Sequence, residues 1–130
     1  FEKDDLKFVE CHSASPNFIT SKKITSELID AESLAPDKYD SIFNKIVLLE
    51  KADPGFDWIF SKNISGLITK FGGAASHMAI RCAEFEIPAA IGCGDILYNK
   101  IKMSHAVHLD CKNKLLKNKN LIDHIKKRHK

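Results

Sequence analysis

The stretch from Gly66 to Gly94, GLITKFGGAASHMAIRCAEFEIPAAIGCG, leaves little freedom of local structure. Gly66-Leu67-Ile68-Thr69 is a short continuous apolar run bounded by polar residues, which reads as a buried strand. Gly72-Gly73 places a loop directly after it. From Ser76 to Phe85 the apolar residues Met78, Ala79, Cys82 and Phe85 recur at helical spacing, and Ile87-Pro88 ends the helix. Ala89-Ala90-Ile91-Gly92 reads as the next strand. A strand, a glycine loop, a helix and a returning strand form the repeating unit of a layered α/β domain.

The flanks extend the same pattern. Phe18-Ile19-Thr20 reads as a short strand and Lys45 to Glu50 as a buried one. Thr25 to Leu34 reads as helical, broken by Ala35-Pro36-Asp37. Asp53 and Pro54 suit the cap and first turn of a helix with Phe56, Ile59 and Phe60 on one face. Ile96 to Ile101 reads as a short helix or turn and Ala106 to Asp110 as a strand. The stretch 112–120 reads as a solvated loop or turn, with a C-terminal helix from Leu121.

With 130 residues and 44% hydrophobic content, residues 1–130 suffice for one domain and one core, but not for a two-domain kinase. The net charge of +3 is concentrated between Lys112 and Lys130, without a basic face interleaved with aromatics, so nucleic acid is not the expected partner. No apolar run is long enough to span a bilayer. Cys11, Cys82, Cys93 and Cys111 are widely spaced and read as reduced thiols of a cytosolic protein. The opening Phe1-Glu2-Lys3 suggests a piece of a longer polypeptide, and the basic end suggests that this domain comes last in it. The polar start and the region near Ala35-Pro36 are the candidate linkers.

The chemistry concentrates at the start of the central helix. First-turn amides of a helix are unpaired and, with the helix dipole, favour an anion. Gly72 and Gly73 let the backbone approach a bulky anionic group without a Cβ in the way. Ser76 supplies a hydroxyl and a cap. His77, as a neutral imidazole, is a competent nucleophile near pH 7. Together these residues suit phosphoryl transfer to nitrogen, where positioning and charge stabilisation supply most of the catalysis.

Thr69, Gly72-Gly73, Ser76-His77, Ile87-Pro88-Ala89 and Ile91-Gly92 follow the pattern of a known family over roughly residues 45–110. The chain resembles the phosphohistidine swivelling (mobile) domain of the phosphoenolpyruvate-utilising enzymes, and its Gly92-Cys93-Gly94-Asp95 end is similar to the phosphoenolpyruvate synthase branch. The resemblance implies a three-layer β/β/α swivelling fold. It implies a phosphotransferase in which a nucleotide-binding, ATP-grasp-like domain uses ATP and Mg²⁺ to phosphorylate His77. The domain then rotates and passes the phosphoryl group to pyruvate or another hydroxylated acceptor in an acceptor-substrate domain. Thr69 and Ser76 would orient the imidazole, and Gly72, Gly73 and Arg81 would position phosphate. The domain alone is then an incomplete enzyme that binds no cofactor or metal itself. Two positions depart from the family: Ala75 stands where it has Thr, and Ala83 where it often has Arg, the nearest arginine being Arg81. Ala75 is the feature that favours the competing reading, a non-catalytic docking module that keeps the fold.

Other constellations read as structural. Asp53 and Asp57 are paired carboxylates four apart that could serve acid/base work, but Asp53 fits an N-cap, and capping or local pairing explains both more simply. His105, His108 and Cys111 form an H-x-x-H-x-x-C pattern, yet on a strand Cys111 points away from His108, so zinc is a minority reading. Cys93 reads as a small buried residue rather than a reactive thiol.

Overall fold

The fold rests on alternation. In the computed structural model, which describes residues 16–51 and 53–118, the strands Ile46–Leu49, Gly66–Thr69 and Ala89–Ile91 are buried at every position. Successive side chains point to opposite faces. Val47, Leu49, Leu67, Ala89 and Ile91 therefore enter one core cluster, and Ile46, Leu48, Ile68 and Ala90 enter another. Both faces are covered, which is why these strands read as unbroken apolar runs rather than as alternating ones.

Among the described residues seven strands form one mixed sheet in the order β1-β5-β4-β3-β2-β6-β7. They are β1 (Asn17–Ile19), β2 (Lys23–Asp30), β3 (Ile46–Leu49), β4 (Gly66–Thr69), β5 (Ala89–Ile91), β6 (Ala106–Asp110) and β7 (Leu115–Asn118). The central four, β2 to β5, are parallel. β1 pairs antiparallel with β5, and β6 and β7 add antiparallel at the other end. Helix α1 (His77–Phe85) and the 3-10 run Pro54–Lys62 cover the first face. Helix α2 (Gly94–Lys102) covers the second, and the sheet curls so that Val107, Leu109 and Leu116 close over the same cluster.

Two expectations are corrected. Thr25–Leu34 is not a helix: Lys23–Asp30 is a strand, and only Ala31–Ser33 turns, as a single 3-10 turn. Of the acids in this segment, Glu27 is exposed on the strand, Asp30 ends it and accepts from the Glu32 N–H (3.0 Å), and Glu32 lies in the 3-10 turn and accepts from the Glu50 N–H (3.1 Å). Ile24 and Leu28 pack into the second cluster while Ile29 packs into the first. Pairing with β3 on one side and β6 on the other overrides the local preference. The solvated loop or turn expected at 112–120 is a turn only as far as Lys114, and Leu115–Asn118 is a strand. A turn at 111–114, closed by Asn113 donating to Asp110 through its backbone (3.1 Å) and its side chain (2.8 Å), leads into β7. Leu116 is fully buried there. The segment from Pro36 to Ile42 is a 3-10 run between β2 and β3, inside the sheet's connectivity. The polar start, Cys11 and the helix expected from Leu121 lie outside the described residues.

The remaining elements follow the sequence reading with small shifts. The Asp53–Pro54 start is a 3-10 run rather than an α-helix, with Ile59 buried and Phe56 and Phe60 packed against the first cluster. No helix among the described residues is long and apolar enough to cross a membrane.

Candidate functional site around His77

The loop between β4 and α1 is held by a clip at the end of β4. Thr69 is fully buried; its hydroxyl donates to the Phe71 carbonyl (2.9 Å) and accepts from the Gly92 N–H (3.0 Å). The Cys93 N–H bonds the Thr69 carbonyl, and the Gly94 N–H bonds the Lys70 carbonyl, each at 2.9 Å. The Phe71 N–H reaches the Glu50 carbonyl at 2.8 Å. The glycine loop is thereby tied to the ends of β3 and β5. Thr69 shapes the loop; both of its hydroxyl bonds go to backbone and neither to His77.

Gly92 has no alternative at this clip. Its φ is +78°, and a Cβ there would sit 2.2 Å from the Gly72 carbonyl oxygen. Gly73 is different, because a Cβ at that position meets nothing within 4 Å. The fold does not need a glycine at 73, and the space beside it is open.

Helix α1 begins at the far side of this loop. Its buried residues Met78, Ala79 and Cys82 lock one face into the first core cluster. Its C-terminus closes on Glu86 in a left-handed conformation, with the Ile87 N–H bonding the Cys82 carbonyl at 2.9 Å. That register places His77 at the first helical position, 37% exposed. Ser76 is the N-cap residue, but its hydroxyl donates to the Gly73 carbonyl (2.7 Å) and makes no cap bond. The helix start is thus left without a side-chain cap, in the place where an anion is favoured.

Among the described residues the imidazole's polar partner is Asp57, which comes from another element. The Asp57 carboxylate lies 2.7 Å (Oδ1) and 2.9 Å (Oδ2) from His77 Nε2. Asp53 caps the Pro54–Lys62 run by accepting from the Gly55 N–H (2.9 Å), and Phe56 kinks the run just before Asp57. Packing holds that run on both sides: Trp58 stacks on Tyr39 at 3.8 Å, and Phe60 stacks on Phe85 of α1 at 5.4 Å. Asp57 therefore does not serve as a local cap; it pairs across twenty residues with the histidine. Capping does account for Asp53, but for Asp57 that reading is overturned. Nothing in periodicity or spacing connects positions 57 and 77. The kinked 3-10 run and the α1 register bring them together.

Arg81 lies one turn along α1, but its guanidinium is turned away from the imidazole's partner. It bonds Glu84 (3.2 Å) and lies over the Phe85 and Phe60 rings at 4.9 and 5.6 Å. Its Nε finds no acceptor among the described residues. Ala75 is exposed and contributes no hydroxyl. The structure thus brings Asp57 to His77 at the start of α1, next to Ser76, whose hydroxyl ties back to Gly73, while Thr69 braces the glycine loop.

The remaining candidates are engaged separately. Cys111 is buried and donates to the Ala89 carbonyl (3.5 Å), His108 Nδ1 shares a hydrogen bond with the Thr25 hydroxyl (2.6 Å), and His105 lies 3.4 Å from Glu27. No three His, Cys, Asp or Glu side chains converge among the described residues. Burial pushes the Cys93 thiol up to about 12, so it is not a ready nucleophile. Lys70, in the glycine loop, is held above the usual lysine value mainly by its hydrogen bond to Asp95, 3.1 Å away.

The fold is thus a mixed α/β domain in which a partly exposed histidine opens a helix, after a glycine loop anchored to the parallel centre of the sheet. The model of the PEP-utilising enzyme mobile domain matches residues 43–114, more than half of the chain, and the chain belongs to that family. Among curated proteins it is 34% identical over 67 residues to a phosphoenolpyruvate synthase of Synechocystis sp. (strain ATCC 27184 / PCC 6803 / Kazusa). It is 33% identical over 66 residues to a phosphoenolpyruvate synthase of Escherichia coli (strain K12). These matches cover 52% and 51% of this chain but only 8% of each relative.

Proposed function

We propose that this chain is the phosphoryl carrier domain of an ATP-dependent phosphotransferase, with His77 as the residue that is transiently phosphorylated. The observation that carries the proposal is the placement of a half-exposed imidazole at an uncapped helix start beside the open face of Gly73. In the first half-reaction an imidazole nitrogen attacks a phosphorus of ATP, the N–P bond forms, and the P–O bond to the nucleotide breaks with its electron pair leaving on oxygen. In the second, an acceptor oxygen attacks the same phosphorus and the N–P bond breaks. Uncapped amides of α1 and the loop backbone at Gly72-Gly73 hold the anionic group between the two events. ATP and Mg²⁺ belong to a nucleotide-binding domain, and pyruvate or another hydroxylated acceptor to a further domain. The matched relatives, named as phosphoenolpyruvate synthases and much longer than this chain, support that division of labour. In this reading the curled sheet is the three-layer β/β/α arrangement of a swivelling domain, and the protein is cytoplasmic.

The competing reading, a docking module with an idle histidine, drew on Ala75. The Asp57 contact argues against it, because the ring has an orienting partner without a hydroxyl at 75. The test is to incubate the chain with the ATP-binding portion of its phosphotransferase, Mg²⁺ and ATP labelled at the β or γ position. Acid-labile, base-stable label on the wild type, absent from His77→Ala, is expected. No label, with the ATP-binding portion shown to be active, would overturn the proposal.

A further inference from the structure

A carboxylate only accepts hydrogen bonds, so the contact with Asp57 requires a proton on His77 Nε2. A protonated ring nitrogen has no lone pair to give. The same oxygens, 2.7 and 2.9 Å from Nε2, also stand where a phosphoryl group on that nitrogen would have to be. Nε2 is the tip of the ring, whereas Nδ1 is bonded to the carbon that carries the side chain and sits nearer the backbone of the first turn. A carrier that meets two separate sites presents its outermost atom. We infer that Asp57 is a latch on His77: it holds the unloaded imidazole in the Nε2–H form and orientation, and it must release Nε2 before the phosphoryl group can bond there. This inference rests on the carrier reading of His77 and adds a positioning residue to it.

The geometry suits a latch more than a permanent scaffold. Asp57 and His77 are 40% and 37% exposed, so solvent or a docking partner can reach the pair. The backbone on both sides is fixed by packing, so release needs only side-chain rotation. On release the Nε2 proton leaves to solvent base and Nδ1 takes one up, which puts the lone pair on Nε2. That lone pair then forms the N–P bond as the donor's bond to phosphorus breaks. The vacated carboxylate would repel a phosphoryl group left beside it, which favours rotation of the loaded ring toward the uncapped start of α1.

The test uses this chain with phosphoramidate as a small chemical donor, from which ammonia leaves as the N–P bond to the ring forms. His77→Ala identifies the His77 signal among the six histidines. Nitrogen-15 NMR of the unloaded wild type should show the Nε2–H tautomer at His77, and Asp57→Asn and Asp57→Ala should lose that bias. Phosphorylation at Nε2 should be faster in both variants by roughly three- to tenfold, the size expected for a half-exposed charge-assisted hydrogen bond. Unchanged or slower phosphorylation in both variants, or wild-type product on Nδ1 with the Nε2–H signal retained, would overturn the latch. Because the donor is chemical, the result does not depend on the ATP-binding partner. Failure of the carrier reading would appear separately, as absence of label from ATP.

Discussion

Replacing Gly92 by alanine puts a methyl group where the chain has no room for it. The position has φ +78°, and the new Cβ would lie 2.2 Å from the Gly72 carbonyl oxygen, a backbone atom. The left-handed conformation alone costs a residue with a Cβ about 1–2 kcal/mol. Forcing two backbone segments apart adds about 1–3 kcal/mol. The sum, about 2–5 kcal/mol, lowers the melting temperature by on the order of 10 °C for a domain of this size. Urea unfolding followed by circular dichroism measures it. The control is Gly73→Ala, whose Cβ meets nothing within 4 Å and which should change stability by less than about 0.5 kcal/mol. Yet Gly73→Ala narrows the approach to His77, so it should slow phosphorylation from ATP while leaving unfolding alone. A Gly92→Ala protein within about 0.5 kcal/mol of wild type would refute the argument that the two loops are sterically interlocked.

Further predictions concern the framework. Leu116→Ala, at a fully buried position of β7, should cost about 2–5 kcal/mol in urea unfolding, which a solvated loop would not. Asp110 is held below the usual carboxylate range chiefly by the side chain and then the backbone N–H of Asn113. A depressed folded-state value means that its contribution is complete above the ordinary value of 3.8 and is lost as pH falls through the folded one. Asn113→Ala should therefore flatten the acid limb of the stability–pH curve below that point without changing its shape near neutrality. Cys82 and Cys93 are buried thiols pushed up to about 12, so both should resist a thiol reagent at pH 8 in the folded chain and react when urea unfolds it.

The parallel core was legible because burial on both faces writes itself as continuous apolar runs. Ile46–Leu49, Gly66–Thr69 and Ala89–Ile91 needed no partner to be recognised as strands. Helix α1 was equally plain, since Met78, Ala79 and Cys82 repeat at helical spacing and Pro88 bars its continuation. β2 was not legible. Its acidic residues and spacing fit a helix locally, and only pairing with β3 and β6 makes it a strand. β7 was hidden in the same way, because a single buried leucine among lysines and asparagines carries little pattern. At the site, the glycine pair and His77 were visible as residue types in order. Asp57 was not, since its partner lies twenty residues away and Asp53 offers a sufficient local reason for an acid nearby. Long-range side-chain pairs of this kind are set by how elements pack, which no single window of sequence contains.

The central claim is that His77 both receives and gives up a phosphoryl group. The most direct measurement loads the chain with label from ATP, removes all nucleotide, and then adds back the nucleotide product with the ATP-binding portion and Mg²⁺. The account predicts that label on His77 returns to nucleotide, and that His77→Ala has nothing to return. Label that never reaches His77, or that remains there when the product and an active partner are restored, would contradict it.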